Sequence, residues 1–214
     1  MKTIVTFSWP SWSWKTSLAQ LLSERLWFDF PINYTTRKPR KSDIEYIHVN
    51  TDDYFDLLEK NELIEILHYN NNYYGIKEPH SNKVVMAIDV VWLPQVMKYA
   101  LMNNFSHLSF FIDVPQDIIE SRMRTRGELE SLILQRHKND MISNLIWGKL
   151  CDITIDGSWT IEDSYEQTLH HLTKNLLFDN LYDNENRVWS KDIGYWLPIH
   201  NQKAFWVLSS ATEC

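Results

Sequence analysis

Apolar positions divide this chain into alternating short runs and helical stripes. KTIVTF (residues 2–7) is rich in β-branched and aromatic types and predicts a short buried strand. Leu18, Leu21, Leu22 and Leu26 then recur at helical spacing after Lys15. Thr51 with Asp52 and Asp53 marks a helix start. VVMAIDVV (84–91) is nearly continuous in apolar residues, as a central parallel strand requires. A helix over about 93–103 follows, then a buried strand LSFFIDV (108–114). Pro115 opens a helix to about Arg126, and residues 128–146 have a helical pattern. CDITID predicts a last strand, and Thr160 caps a final amphipathic helix to about Leu177. Strand and helix alternation implies an α/β domain: a mostly parallel sheet with helices on both faces. Residues 178–214 follow neither period and are expected to form an appended tail.

Composition narrows the class. The 214 residues, 44% hydrophobic, suffice for one sizeable core. A formal net charge of -7 argues against a general nucleic-acid binder. Basic residues cluster only locally, at Arg37, Lys38, Arg40 and Lys41 and at Arg122, Arg124 and Arg126, enough for small anions. Two cysteines, Cys151 and Cys214, make no disulfide framework. No apolar run spans a bilayer and none resembles a signal peptide, so a cytoplasmic protein without membrane contact is expected. The chain has 5 Gly and 10 Trp, whereas average usage predicts roughly 15 glycines.

The tryptophans fall at chemically telling places. A Walker A loop follows G-x-x-x-x-G-K-[ST]. Here the strand–loop–helix junction has Trp9-Pro-Ser-Trp12-Ser-Trp14-Lys15-Thr16. The lysine, the hydroxyl and the helix are in place; both required glycines are tryptophan. YTTRKPR (34–40) resembles the T-T-R-x-P-R segment of guanylate kinases. Tyr46, then IEILHYNNNYYG (64–75), IDVVW (88–92) and SRMRTRG (121–127) resemble the further motifs of that family in the same order. Arg136 matches a later lid arginine. The likeness runs from residue 1 to about 175.

That resemblance implies a P-loop NTPase-like domain over 1–177, with a GMP-binding insertion at about 34–80 and a lid at about 122–146. It implies transfer of the terminal phosphate of ATP to GMP. Arg37 and Arg40, with the Tyr46 and Tyr74 hydroxyls, would hold the GMP phosphate. Glu65 and Asp89 would accept from the guanine edge and disfavour adenine. Lys15 would reach the ATP phosphates, and Thr16 would ligate Mg²⁺. Arg122, Arg126 and Arg136 would offset charge on the transferred group, with Arg124 a solvated surface charge.

The departures from the family pattern are equally specific. Trp9, Trp12 and Trp14 replace all three loop glycines, and Trp92 replaces the glycine of D-x-x-G. Ile76 stands for a small hydroxyl residue, Ser42-Asp43 for a Gly-Glu pair, and Asp156-Gly157 for an Asn-Asp pair. Phosphate loops bring backbone N–H groups against the oxygens, and glycine leaves that space open. A non-glycine residue in the left-handed region costs about 1–2 kcal/mol. An indole also brings about 150–250 Å² of surface that a closed phosphate loop has no room for. The expectation is an acceptor side largely intact and an ATP side destroyed. Two alternatives stay open: an active kinase whose loop tolerates the replacements, and a non-catalytic guanylate-kinase-like binding module. Production of ADP from ATP and GMP separates them.

Overall fold

The computed structural model describes residues 2–8, 15–39, 46–69, 71–125, 127–131, 133–134 and 148–175, and backbone segments 180–182, 187–190 and 195–198. The loop tryptophans Trp9, Trp12 and Trp14, and Arg40, Arg126 and Arg136, lie outside them.

The main sheet is built on β1 (Thr3–Ser8), whose six residues are all buried. It is parallel, in the order β6-β1-β7-β8, with β6 at Lys83–Ile88, β7 at Ser106–Asp113 and β8 at Ile153–Asp156. Alternation along β1 sends Val5 and Phe7 to one face and Ile4 to the other. The first face packs α1 (Lys15–Leu26) through Leu18, Leu22 and Leu26, with Tyr165, Leu169 and Leu172 of the C-terminal helix. The second face packs α3 (Leu93–Met102) through Leu93, Val96 and Ala100. The expected parallel sheet with helices on both faces is therefore present.

Local signals explain the element ends. Between them, α2 (Thr51–Glu59) is capped by Asn50, whose side chain accepts from Asp53 N at 2.8 Å. Pro115 precedes α4 (Gln116–Thr125). Thr160 starts α5 (Ile161–Asn175): its Oγ1 accepts from Asp163 N at 3.2 Å, and the Asp163 carboxylate accepts from Thr160 N. Strand β6 stops at Ile88, three residues before the apolar run does. Asp89 turns the chain there, accepting from Val91 N at 3.3 Å and opening a 3-10 turn over Val90–Trp92. Of residues 128–146, Glu130, Ser131, Ile133 and Leu134 are helical, and most of the remainder lies outside the described set.

Two further sheets did not follow from periodicity. One, in the order β3-β2-β5-β4, joins β2 (Asn33–Thr35), β3 (Tyr46–His48), β4 (Leu63–Tyr69) and β5 (Asn72–Lys77). Strands β2 and β3 have three residues each and β5 begins with three half-buried ones, so no long apolar run marks them. The other lies in the C-terminal segment, where β9 (Asn180–Tyr182), β10 (Arg187–Ser190) and β11 (Tyr195–Pro198) form an antiparallel meander. Strand β9 lies against α1.

Candidate functional site

Parallel sheets collect ligands beyond the C-terminal ends of their strands, where strand order reverses. Here β1 has β6 on one side and β7 on the other, so the chain crosses over β1 between them. Ser8 ends β1 opposite Ile88, the end of β6. Lys15, the first residue of α1, donates from Nζ to the Ile88 carbonyl at 3.4 Å. Thr16 follows it in the first turn. The helix N-terminus, the lysine amine and the β6 end thus meet at one edge of the sheet, beside Asp89.

The mixed sheet brings together Arg37, Tyr46 and Tyr74, three of the residues that the family resemblance singled out. Asn33 of β2 pairs with Tyr46 of β3 and with Ile76 of β5, and Thr35 pairs with Tyr74. The Tyr46 and Tyr74 rings meet edge to face at 6.3 Å. The Arg37 guanidinium carbon lies 5.5 Å from the Tyr46 ring centroid, a cation–π contact, while its Nη1 donates to the Lys38 carbonyl at 3.1 Å. The Arg37 backbone is tied down as well. Its N–H donates to Thr35 Oγ1 at 3.1 Å, and its carbonyl lies 2.6 Å from His48 Nδ1. The Tyr54 hydroxyl donates to the Tyr74 carbonyl at 2.7 Å. Tyr54 and His48, which motif order did not single out, hold the sheet that presents Arg37 and Tyr74.

Trp92 links the two halves. Its ring lies 6.2 Å from Tyr74, tilted by 56°. It is 6% exposed, packed with Ile76, Ile88 and Leu93, and its indole N–H meets no acceptor among the described residues. Asp89, three residues earlier, is exposed at the strand end. The Glu65 backbone lies in β4 opposite Ile76; its side chain lies outside the described set.

Arg122 sits apart from this line, on α4. Its Nη2 donates to the Gly157 carbonyl at 3.0 Å, anchoring α4 to the end of β8. The adjacent Asp156 carboxyl is held below its ordinary value by hydrogen bonds from Ser158 and, less strongly, from the Trp159 indole. Arg124 pairs on the surface with Glu130 at 2.6 Å and Glu120 at 3.2 Å, as expected of a solvated charge.

No helix among the described residues is long and apolar enough to cross a membrane. No group of three or more metal-ligating side chains occurs among them either.

A parallel sheet reversing at β1, with a lysine-headed helix at the strand ends, defines the fold of P-loop kinases. The guanylate kinase family model matches residues 2–176, so the chain belongs to the guanylate kinase family. The guanylate kinase of Mycoplasmoides gallisepticum is 27% identical over 187 residues, covering 81% of this chain and 91% of the relative. That of Fusobacterium nucleatum is 28% identical over 147 residues, covering 63% and 77%. The crystal structure of guanylate kinase from Anaplasma phagocytophilum matches the fold with a TM-score of 0.59. It is 20% identical and covers 80% of this chain and 85% of that one.

Proposed function

We propose that this chain holds GMP on the mixed sheet, and that with tryptophan at positions 9, 12 and 14 it transfers phosphate from ATP poorly or not at all. The arrangement of Arg37 over Tyr46, with Tyr74 in edge contact, carries the first half. Arg37 supplies fixed charge, and the two hydroxyls supply donors to a phosphate. Charge-assisted bonds of this kind contribute about 1.5–3 kcal/mol each. Arg40 would add a second fork. Asp89 and Glu65 would read the guanine N–H edge, where adenine offers a mismatched pattern. Lys15 would take the ATP phosphates, Thr16 would ligate the Mg²⁺ that accompanies ATP, and Arg122, Arg126 and Arg136 would stabilise the moving phosphoryl group. Such transfer depends almost wholly on positioning and charge, so indoles in the phosphate cradle abolish it without unfolding the sheet.

Titration calorimetry with GMP and AMP tests the acceptor half. GMP is expected to bind, AMP more weakly, and Arg37→Ala to lose both. Equal affinity for the two nucleotides would remove Glu65 and Asp89 from base reading. A coupled assay for ADP tests the donor half, and ready turnover by the unaltered chain would refute it.

A further inference from the structure

Among the described residues, four helices are followed by a residue in the left-handed conformation. Just past α2, α3 and α4 stand Asn61 (φ 55°), Asn104 (φ 57°) and Gly127 (φ 82°). Each is followed by an N–H that turns back into the helix: Glu62 to the Leu57 carbonyl at 3.0 Å, Phe105 to Ala100 at 2.9 Å, Glu128 to Met123 at 3.2 Å. These are Schellman-type stops, and asparagine and glycine are the residues that populate them. At the end of α1 the Phe28 N–H reaches one residue further back, to the Leu22 carbonyl at 3.5 Å, a wider closure than the other three. The residue there is Trp27, at φ 55°. A bulky side chain at positive φ is an outlier. Its indole is 62% exposed, so little burial offsets that cost. Among the described residues every other positive-φ position, including Asn71, is asparagine or glycine.

Position 92 is unusual for an unrelated reason. Trp92 places a buried indole N–H where no described acceptor reaches it, against the Tyr74 ring of the acceptor site. Positions 9, 12 and 14 are where a phosphate loop requires open backbone. Five tryptophans therefore stand at places that suit tryptophan poorly, on three separate physical grounds. Chance replacement has no reason to choose the same substitute each time.

We propose that positions 9, 12, 14, 27 and 92 carry glycine in the working protein, all five through one codon that the host reads as glycine. The codon UGA is one base from UGG, which encodes tryptophan, and one base from GGA, which encodes glycine. Bacterial genetic codes differ in reading it as stop, tryptophan or glycine. With glycine at 9, 12 and 14 the sequence before Lys15 matches the Walker A pattern G-x-x-x-x-G-K-[ST] of a nucleoside triphosphate loop. With glycine at 92 the orphaned N–H vanishes and the wall beside Tyr74 opens. The residue assignment stands on the backbone conformation at position 27, the unsatisfied indole N–H at position 92 and the loop pattern in the sequence at 9, 12 and 14; only its consequence for turnover rests on the proposed function.

Mass spectrometry of peptides from the protein made in its own host tests the assignment directly. Peptides covering positions 27 and 92 are expected to be lighter by one indole side chain each, with UGA at all five codons. Tryptophan at either position, or UGG codons, overturns the proposal. A second arm needs no native material. Trp27→Gly and Trp27→Asn should each raise Tm by about 2–4 °C, and Trp27→Ala should not match them. A fall in Tm for both would show that the indole is needed there. In the third arm, the chain with glycine at all five positions should form GDP from ATP and GMP at least about 10²-fold faster than the present sequence. Glycine in the native peptides with no gain in turnover would uphold the assignment and refute the kinase function.

Discussion

Gly157 shows what a required glycine looks like in this molecule. A Cβ there would lie 2.5 Å from Ile112 Cγ2 and 2.7 Å from Val114 Cγ2, both attached to a packed strand end. Its N–H also donates to the Asp113 carbonyl at 2.7 Å, and its own carbonyl receives Arg122. Gly157→Ala is expected to destabilise the fold by about 1–3 kcal/mol, read as a lower urea midpoint at unchanged slope. Another single-residue effect concerns protons. His107 lies against Thr6 at 3.0 Å, and burial pushes its imidazole below the ordinary 6.5, against a smaller upward pull from Asp152. The folded state thus binds its proton less readily than the unfolded chain does. The neutral ring's contribution is complete above about pH 6.5 and declines as pH falls below that. His171 moves in the same direction, first through burial and then through His170 and Lys174. Melting temperature should drop between pH 7 and 5, with a shallower slope in His107→Gln.

Which elements could be read from sequence depends on how each strand meets solvent. Strands β1, β6 and β7 are covered on both faces, so their apolar runs stand out. Their boundaries were less visible. The run at 84–91 crosses from a strand into a 3-10 turn at Asp89, because Val90 and Trp92 stay buried after the ladder ends. The mixed sheet escaped because β2 and β3 have three residues each, and β5 begins with three half-buried ones. The convergence of Arg37, Tyr46 and Tyr74 likewise has no periodic signature; motif order alone linked them. The strain at Trp27 was invisible to pattern, since periodicity does not report φ. At this scale the C-terminal meander is the open element. Although β9 lies against α1, the pairing of β9, β10 and β11 is internal to that segment. Truncation after Leu177 is expected to keep one cooperative melting transition, with only a small loss of Tm. Failure to fold would show that the meander completes the core.

For the whole molecule, the two sheets divide the labour. The parallel sheet supplies rigidity and the Lys15 edge, and the mixed sheet supplies Arg37, Tyr46 and Tyr74. A ligand that binds only the folded mixed sheet must stabilise the entire domain, because unfolding releases it. At 100 times its dissociation constant that linkage is worth about 2.7 kcal/mol. GMP at such a concentration should raise the melting temperature of the present sequence. ATP with Mg²⁺ should leave it unchanged until the loop tryptophans are returned to glycine. The ring contact between Tyr74 and Trp92 has an optical consequence too. A tyrosine 6.2 Å from an indole passes its excitation to it, and an indole shielded from water emits at the blue end of its range. In the chain that carries tryptophan at position 92, nucleotide seated on Tyr74 would alter that transfer, so Trp92 would report occupancy there. The Trp92→Gly chain would lose the GMP-dependent part of the emission and keep the rest.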